Sequence, residues 1–155
     1  MTTLDPETLE RLRRQIPLRL DRRGQFFFEG DPVTHLGVRS LFLRGLDLTE
    51  NGEPCLRVGE MWCYLTVEDC LLRCTGVHAD AHGNPVLHLD DGRELALDPA
   101  TLWEEPGHGL RCTVPSQISG RPLSVRFTNT ALAELAPWLD GEPPALRLGD
   151  RRAPI

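Results

Sequence analysis

Four residues able to ligate a metal recur at every fourth position: Cys70, Cys74, His78 and His82. Two thiols and two imidazoles are the donor set of a structural zinc site. The spacing argues against one ion taking all four. On a helix the set would extend over about three turns, roughly 18 Å at 1.5 Å per residue. On a strand, each four-residue step alone covers about 13 Å. Metal–ligand bonds of about 2.0–2.3 Å cannot reach that far. The stretch Thr75-Gly76-Val77 reads as strand, which separates even His78 from His82 unless a turn folds His82 back. The expectation is no metal and no cofactor, with buried thiols and histidines at the rim.

His78, Asp80, His82, His88 and Asp90 gather around one expected hairpin. Imidazole beside carboxylate is the raw material of general acid–base catalysis. Polar hairpin ends carry the same residues for purely structural reasons. A Cys–His nucleophile pair has no local motif behind it. The sequence holds no Gly-x-Ser-x-Gly elbow, no Gly-x-Gly-x-x-Gly fingerprint and no His-Glu-x-x-His. Gly107-His108-Gly109 is too short to cradle a phosphate and reads as a loop. Glu68 and Asp69 close an apolar strand, where they either aim into a cleft or satisfy the backbone N–H groups of a turn. The candidate ligand-binding residues are therefore Glu68, Asp69, His78, Asp80 and His88, and no catalytic residue is assigned.

Composition narrows the classes further. All 17 basic residues are Arg. The absence of Lys excludes Schiff-base enzymes, lysine-anchored pyridoxal-phosphate enzymes and P-loop NTPases. Arg-only usage suggests a GC-rich coding bias and hence a bacterial source. A net charge of −6 argues against nucleic acid as the partner. Arg11, Arg13, Arg14, Arg19, Arg22 and Arg23 crowd near the N-terminus, but Asp5, Glu7, Glu10 and Asp21 dilute them into a solvated face. No apolar run reaches the roughly 18 residues that span a bilayer. The first residues lack the basic and apolar regions of a signal peptide. The expected location is the cytoplasm, where the five cysteines stay free and mostly buried.

The elements that must position these residues follow from pattern. Asp5 and Pro6 mark a helix start, Leu4 and Leu9 a staple, and Leu9, Leu12 and Ile16 an apolar stripe ending before Pro17. Leu18, Leu20, Phe26 and Phe28 flank the turn Asp21-Arg22-Arg23-Gly24. A second helix is expected from His35 to Gly45, with Thr34 as its cap and Leu36, Phe42, Leu43 and Leu46 as its apolar face. Strands follow around Trp62 to Val67, from Leu72 to Asp80 with a bulge at Gly76, and in hairpins at 86–97 and 110–127. A closing helix begins at Thr128 to Thr130. Phe26, Phe27 and Phe28 in succession cannot all face one side of a strand.

The fold class is α+β: mainly antiparallel strands with about three helices, in two repeated strand–helix–strand motifs. Residues 17–24 line up with 85–92, each a strand followed by an acidic turn. The chain reads as one compact unit of two similar halves, 1–68 and 69–139, with a mobile Pro-, Gly- and Arg-rich tail at 140–155.

Three stretches in order resemble the bacterial family called domain of unknown function 1285. They are Leu18 to Asp21 through Phe26 to Pro32, then Tyr64-Leu65-Thr66-Val67-Glu68-Asp69-Cys70, then Leu123 to Phe127 running into Ala131 to Leu139. The resemblance spans residues 16–139. Cys70 stands where the family has a small or apolar residue, and the Cys and His content departs from the family pattern. The resemblance implies an α+β fold of repeated motifs and a role in binding or signal transduction. It carries over no catalytic residues.

The resulting expectation is a binding or regulatory domain, more than an enzyme, that recognises a small molecule or a protein partner. The alternative is a small metal-assisted or acid–base hydrolase using His78, His82 and His88. A third reading is a structural subunit that forms a homo-oligomer. Neither nucleic acid nor membrane is an expected partner.

Overall fold

A computed structural model describes residues 3–155. The chain divides into two compact units. The first comprises the chain up to Leu71 together with Pro115–Leu123, and the second Leu72–Val114 with Ser124–Ile155. The halves expected from the sequence are contiguous; these units are not, because the hairpin end at 115–123 belongs to the first.

The first unit opens with helix α1 (Pro6–Gln15). Asp5 Oδ1 accepts the Thr8 N–H at 2.7 Å, and Pro6 occupies a position where its missing N–H is no loss. Pro17 forces Ile16 into an extended conformation, and the helix stops. The expected apolar stripe is not its docking face, for no residue of α1 is buried and Leu12 remains 45% exposed.

Hairpin β1 (Leu18–Leu20)–β2 (Phe26–Phe28) follows, then the two-residue β3 (Asp31–Pro32). Of the three successive phenylalanines, Phe26 is buried, Phe27 on the opposite face lies under the Arg19 guanidinium at 4.3 Å, and Phe28, on the side of Phe26, is exposed near the strand end. Helix α2 (Leu36–Arg44) is capped by His35 Nδ1, which accepts the Val38 N–H at 3.2 Å; Thr34 was the expected cap. Strands β4 (Leu46–Leu48), β5 (Pro54–Val58) and β6 (Met61–Tyr64) form an antiparallel meander, so Leu46 belongs to a strand and not to the helix face. The short β7 (Thr66–Val67) then pairs in parallel with β1, giving the sheet order β3-β2-β1-β7.

The second unit is built on strands β8 (Leu72–Ala79), β9 (Pro85–Leu89), β10 (Glu94–Ala96), β11 (Trp103–Glu105), β12 (Gly109–Pro115) and β13 (Pro122–Phe127). Their order in one sheet is β10-β9-β8-β13-β12-β11, with β8 and β13 parallel. Leu72, Leu87 and Val125 are fully buried on its inner face. Helix α3 (Asn129–Leu135) starts where Thr128 Oγ1 accepts the Ala131 N–H, and it packs on β8. The bulge expected at Gly76 falls between Cys74 and Gly76, with Thr75 as the extra residue.

Residues 140–155, expected as a mobile tail, form strands. Antiparallel β14 (Leu139–Asp140), β15 (Ala145–Leu148) and β16 (Arg151–Pro154) make a small sheet. Ala145 and Leu146 are fully buried, and Asp140 pairs with Arg147 and Arg152 at 2.8 and 3.4 Å. Prolines and arginines hid two core positions and an ion-pair clasp.

The fold is thus α+β, with three α-helices among the described residues and mostly antiparallel strands. The sense of pairing around β8 repeats that around β1: an antiparallel neighbour, a second antiparallel strand beyond it and a parallel strand on the other side. The turns correspond as well. Asp21 N donates to Gln25 O, and Asp21 Oδ1 accepts the Arg23 and Gln25 N–H groups. Asp80 makes the same set with Asn84 and His82. The stretch 85–92 ends in a turn with the same backbone bonds, Leu89 N–H to Arg93 O and Gly92 N–H to Leu89 O.

Candidate functional site

Alternation along β8 and β9 buries Val77 and Leu87 and sends Gly76, His78 and His88 to the opposite face. The tight turn from Leu89 to Arg93 sets the next register and places Glu94 of β10 directly across from His88. Directly paired residues share a face. His78, two positions beyond Gly76, reaches His88 diagonally, with ring centroids 4.6 Å apart. His78 Nδ1 lies 2.5 Å from His88 Nε2, and His88 Nδ1 lies 3.2 Å from Glu94 Oε1.

Both nitrogens of His88 are thereby engaged. With Glu94 Oε1 beside Nδ1, a proton on that nitrogen would leave Nε2 as the acceptor facing His78. The arrangement is a carboxylate–imidazole–imidazole chain open to solvent, able to hold or pass a proton along a fixed line. On the same face, Gly76 lets Glu134 and His88 approach closely. A Cβ there would sit 3.3 Å from Glu134 Oε1 and 3.8 Å from the His88 ring. Glu134, from α3, also accepts the Val77 N–H at 3.4 Å.

Of the five candidate residues, the structure brings His78 and His88 together. Asp80 is occupied by its turn, and the backbone N–H groups of Asn84 and His82 hold its carboxyl below the usual range. Glu68 belongs to the first unit, where it accepts the Arg22 N–H at 3.3 Å and pairs with Arg19 at 3.7 Å. Asp69 lies beside it, half-buried. Asp90 is tied to the buried Arg73 through that residue's backbone N–H and guanidinium, at 3.0 and 3.3 Å. Sequence reasoning missed Glu94 and Glu134. Glu94 was within reach, because a hairpin centred on Asp91 pairs 88 with 94. Glu134 had no local signal.

All five thiols are buried. Burial pushes Cys55 and Cys63 up, and Cys74 to about 11, although the Gly76 and His88 backbone acts against it there. A thiol so shifted is neither a nucleophile nor a ready ligand at neutral pH.

Two concavities lie within single units. One in the second unit, about 260 Å³, is lined by Glu104, Leu110, Leu132, Leu139, Asp140, Gly141, Pro144 and Ile155. One in the first, about 210 Å³, is lined by Arg14, Ile16, Glu53, Pro54, Tyr64, Leu65 and Thr66. None of the five candidate residues lines either cavity.

No protein-family model and no curated protein matches the chain. Two solved structures share its fold. One, a DUF1285 family protein from Silicibacter pomeroyi DSS-3, aligns with a TM-score of 0.70 at 17% identity, over 90% of this chain and 79% of the other. Another, a DUF1285 family protein from Shewanella baltica OS155, aligns with a TM-score of 0.57 at 14% identity, over 74% of this chain and 86% of that one. The fold is DUF1285-like, as the ordered motifs had suggested.

Proposed function

We propose that the chain is a non-enzymatic binding or regulatory domain of the bacterial cytoplasm, serving signal transduction, and that it takes a small, largely apolar ligand into the cavity of its second unit. The supporting observation is the cavity itself, with walls of Leu110, Leu132, Leu139, Pro144 and Ile155 and the carboxylates of Glu104 and Asp140 beside them. Apolar walls with a few placed polar groups are the usual composition of a small-molecule site. Both structural neighbours come from bacteria. The proposal includes an internal duplication, supported by the matching strand order and turn bonds of the two units.

The test is a fragment screen followed by ligand-detected NMR, with Leu132→Trp as the control. Hits that bind the unaltered chain and lose binding in the Leu132→Trp variant, while its spectrum stays dispersed, support the proposal. Hits that ignore the filled cavity refute it.

The acid–base hydrolase is the second reading, favoured by the His78–His88–Glu94 chain. Turnover of an ester or amide panel that disappears in His88→Ala would establish it and displace the first reading.

A further inference from the structure

The outer face of β8–β9–β10 carries an arrangement that neither cavity uses. We propose that His78 Nδ1 and His88 Nε2 bind one divalent transition-metal ion of the zinc class, with Glu94 as the positioning carboxylate on the far nitrogen of His88. Glu94 Oε1 lies 3.2 Å from His88 Nδ1 and favours a proton there, and that tautomer turns the Nε2 lone pair of His88 toward His78. Carboxylate, imidazole and metal in a row is the recurrent way proteins orient a metal-binding histidine.

Distances agree. Donor atoms of His78, His88 and Glu94 all lie within 4.8 Å of one another. Two imidazole nitrogens on one tetrahedral ion are about 3.3 Å apart, given bonds near 2.0–2.1 Å. The 2.5 Å between His78 and His88 must therefore open by less than about 1 Å. His78 is exposed and at liberty to make that adjustment.

Charge and chemistry agree as well. Glu94 and Glu134 put two carboxylates on the face that carries the imidazoles, which favours a cation. Imidazole donors suit zinc, nickel and copper over the oxygen-seeking calcium and magnesium. Two protein ligands leave positions for water or for a donor from a bound molecule. This set crosses strands, so the objection to four ligands spaced along one strand does not apply to it.

The experiment is calorimetric titration of the full chain at neutral pH with zinc, and spectroscopic titration with cobalt(II). One saturable equivalent is expected, abolished by His78→Ala and separately by His88→Ala, with an unchanged urea midpoint for the exposed His78 variant. Glu94→Gln is expected to weaken binding about tenfold. No saturable binding, or one equivalent retained in both histidine variants, overturns the proposal. A thiolate-to-cobalt charge-transfer band does the same, because it assigns the ion to cysteine. Wild-type affinity in Glu94→Gln overturns the role given to that carboxylate.

Discussion

Asp47 illustrates how single residues of this chain carry structural charge. Its side chain is fully buried in β4, yet Arg57 Nε donates to it at 2.9 Å and the Ser119 hydroxyl bonds its other oxygen. Burial pushes the carboxyl up, but the bonds from Ser119, the Leu48 backbone, Ser116 and Arg57 outweigh it and hold the group below the usual range. A lowered folded value means the stabilisation is present above the unfolded pKa and is lost as pH falls through the folded one. Asp47→Asn is therefore expected to flatten the acid side of the stability profile, read as the urea midpoint between neutral pH and about pH 3. Asp47→Ala, which leaves Arg57 without its partner, should cost about 3 kcal/mol in the same measurement. The thiols give a second residue-scale prediction. With Cys55, Cys63 and Cys74 all raised by burial, a disulfide reagent at neutral pH should label the native chain slowly and reach all five cysteines only on denaturation.

At the scale of elements, packing overrode local pattern in instructive places. Helix α1 has a good N-cap and an apolar stripe, but it docks through its arginines. Arg13 lies 4.2 Å over the Trp62 ring and Arg14 4.0 Å over Tyr64; Arg14 also pairs with Glu53, and the Tyr64 hydroxyl donates to Glu10 at 2.6 Å. Trp62→Ala should cost about 1 kcal/mol and speed amide exchange in α1 before the rest of the unit. At the end of α2, Gly45 is needed for space and not for its backbone angles, since φ is −89°. A Cβ there would fall 2.2 Å from the Arg57 carbonyl oxygen. Gly45→Ala is expected to destabilise by about 3 kcal/mol, measured by urea titration, because the clash is with backbone that cannot rotate away. The site belongs to this scale too. His78 and His88 were legible as polar residues of one hairpin, but their contact depends on the Thr75 bulge and on registers across three strands. Asp80, which the same reading placed with them, is drawn off by its own turn.

For the whole molecule, the discontinuous first unit has a consequence. Its final segment, 115–123, supplies Ser116, which donates to the Leu46 carbonyl, Ser119 on Asp47, and Arg121, which donates to the Leu48 carbonyl at 3.1 Å. It also supplies the buried Leu123. A fragment ending at Leu71 lacks all of these and is expected to give a poorly dispersed amide spectrum where the full chain gives a dispersed one. No helix among the described residues is long and apolar enough to cross a membrane.

Sequence by itself determined the features whose causes are local. The α1 and α3 caps, the Asp21 and Asp80 turns, the alternation that buries Val77 and Leu87, and the α+β class all follow from neighbours a few residues apart. The parallel pairings β1–β7 and β8–β13 bring together residues about fifty apart, and no short-range rule encodes them. The buried Asp47 network, the assignment of 115–123 to the first unit and the approach of Glu134 to Gly76 are of the same kind. The ligand pattern first noticed, Cys70 to His82, came apart because a strand spreads its residues along a line. The cluster that formed, His78 with His88 and Glu94, exists because a sheet places residues distant in sequence about 5 Å apart across its strands.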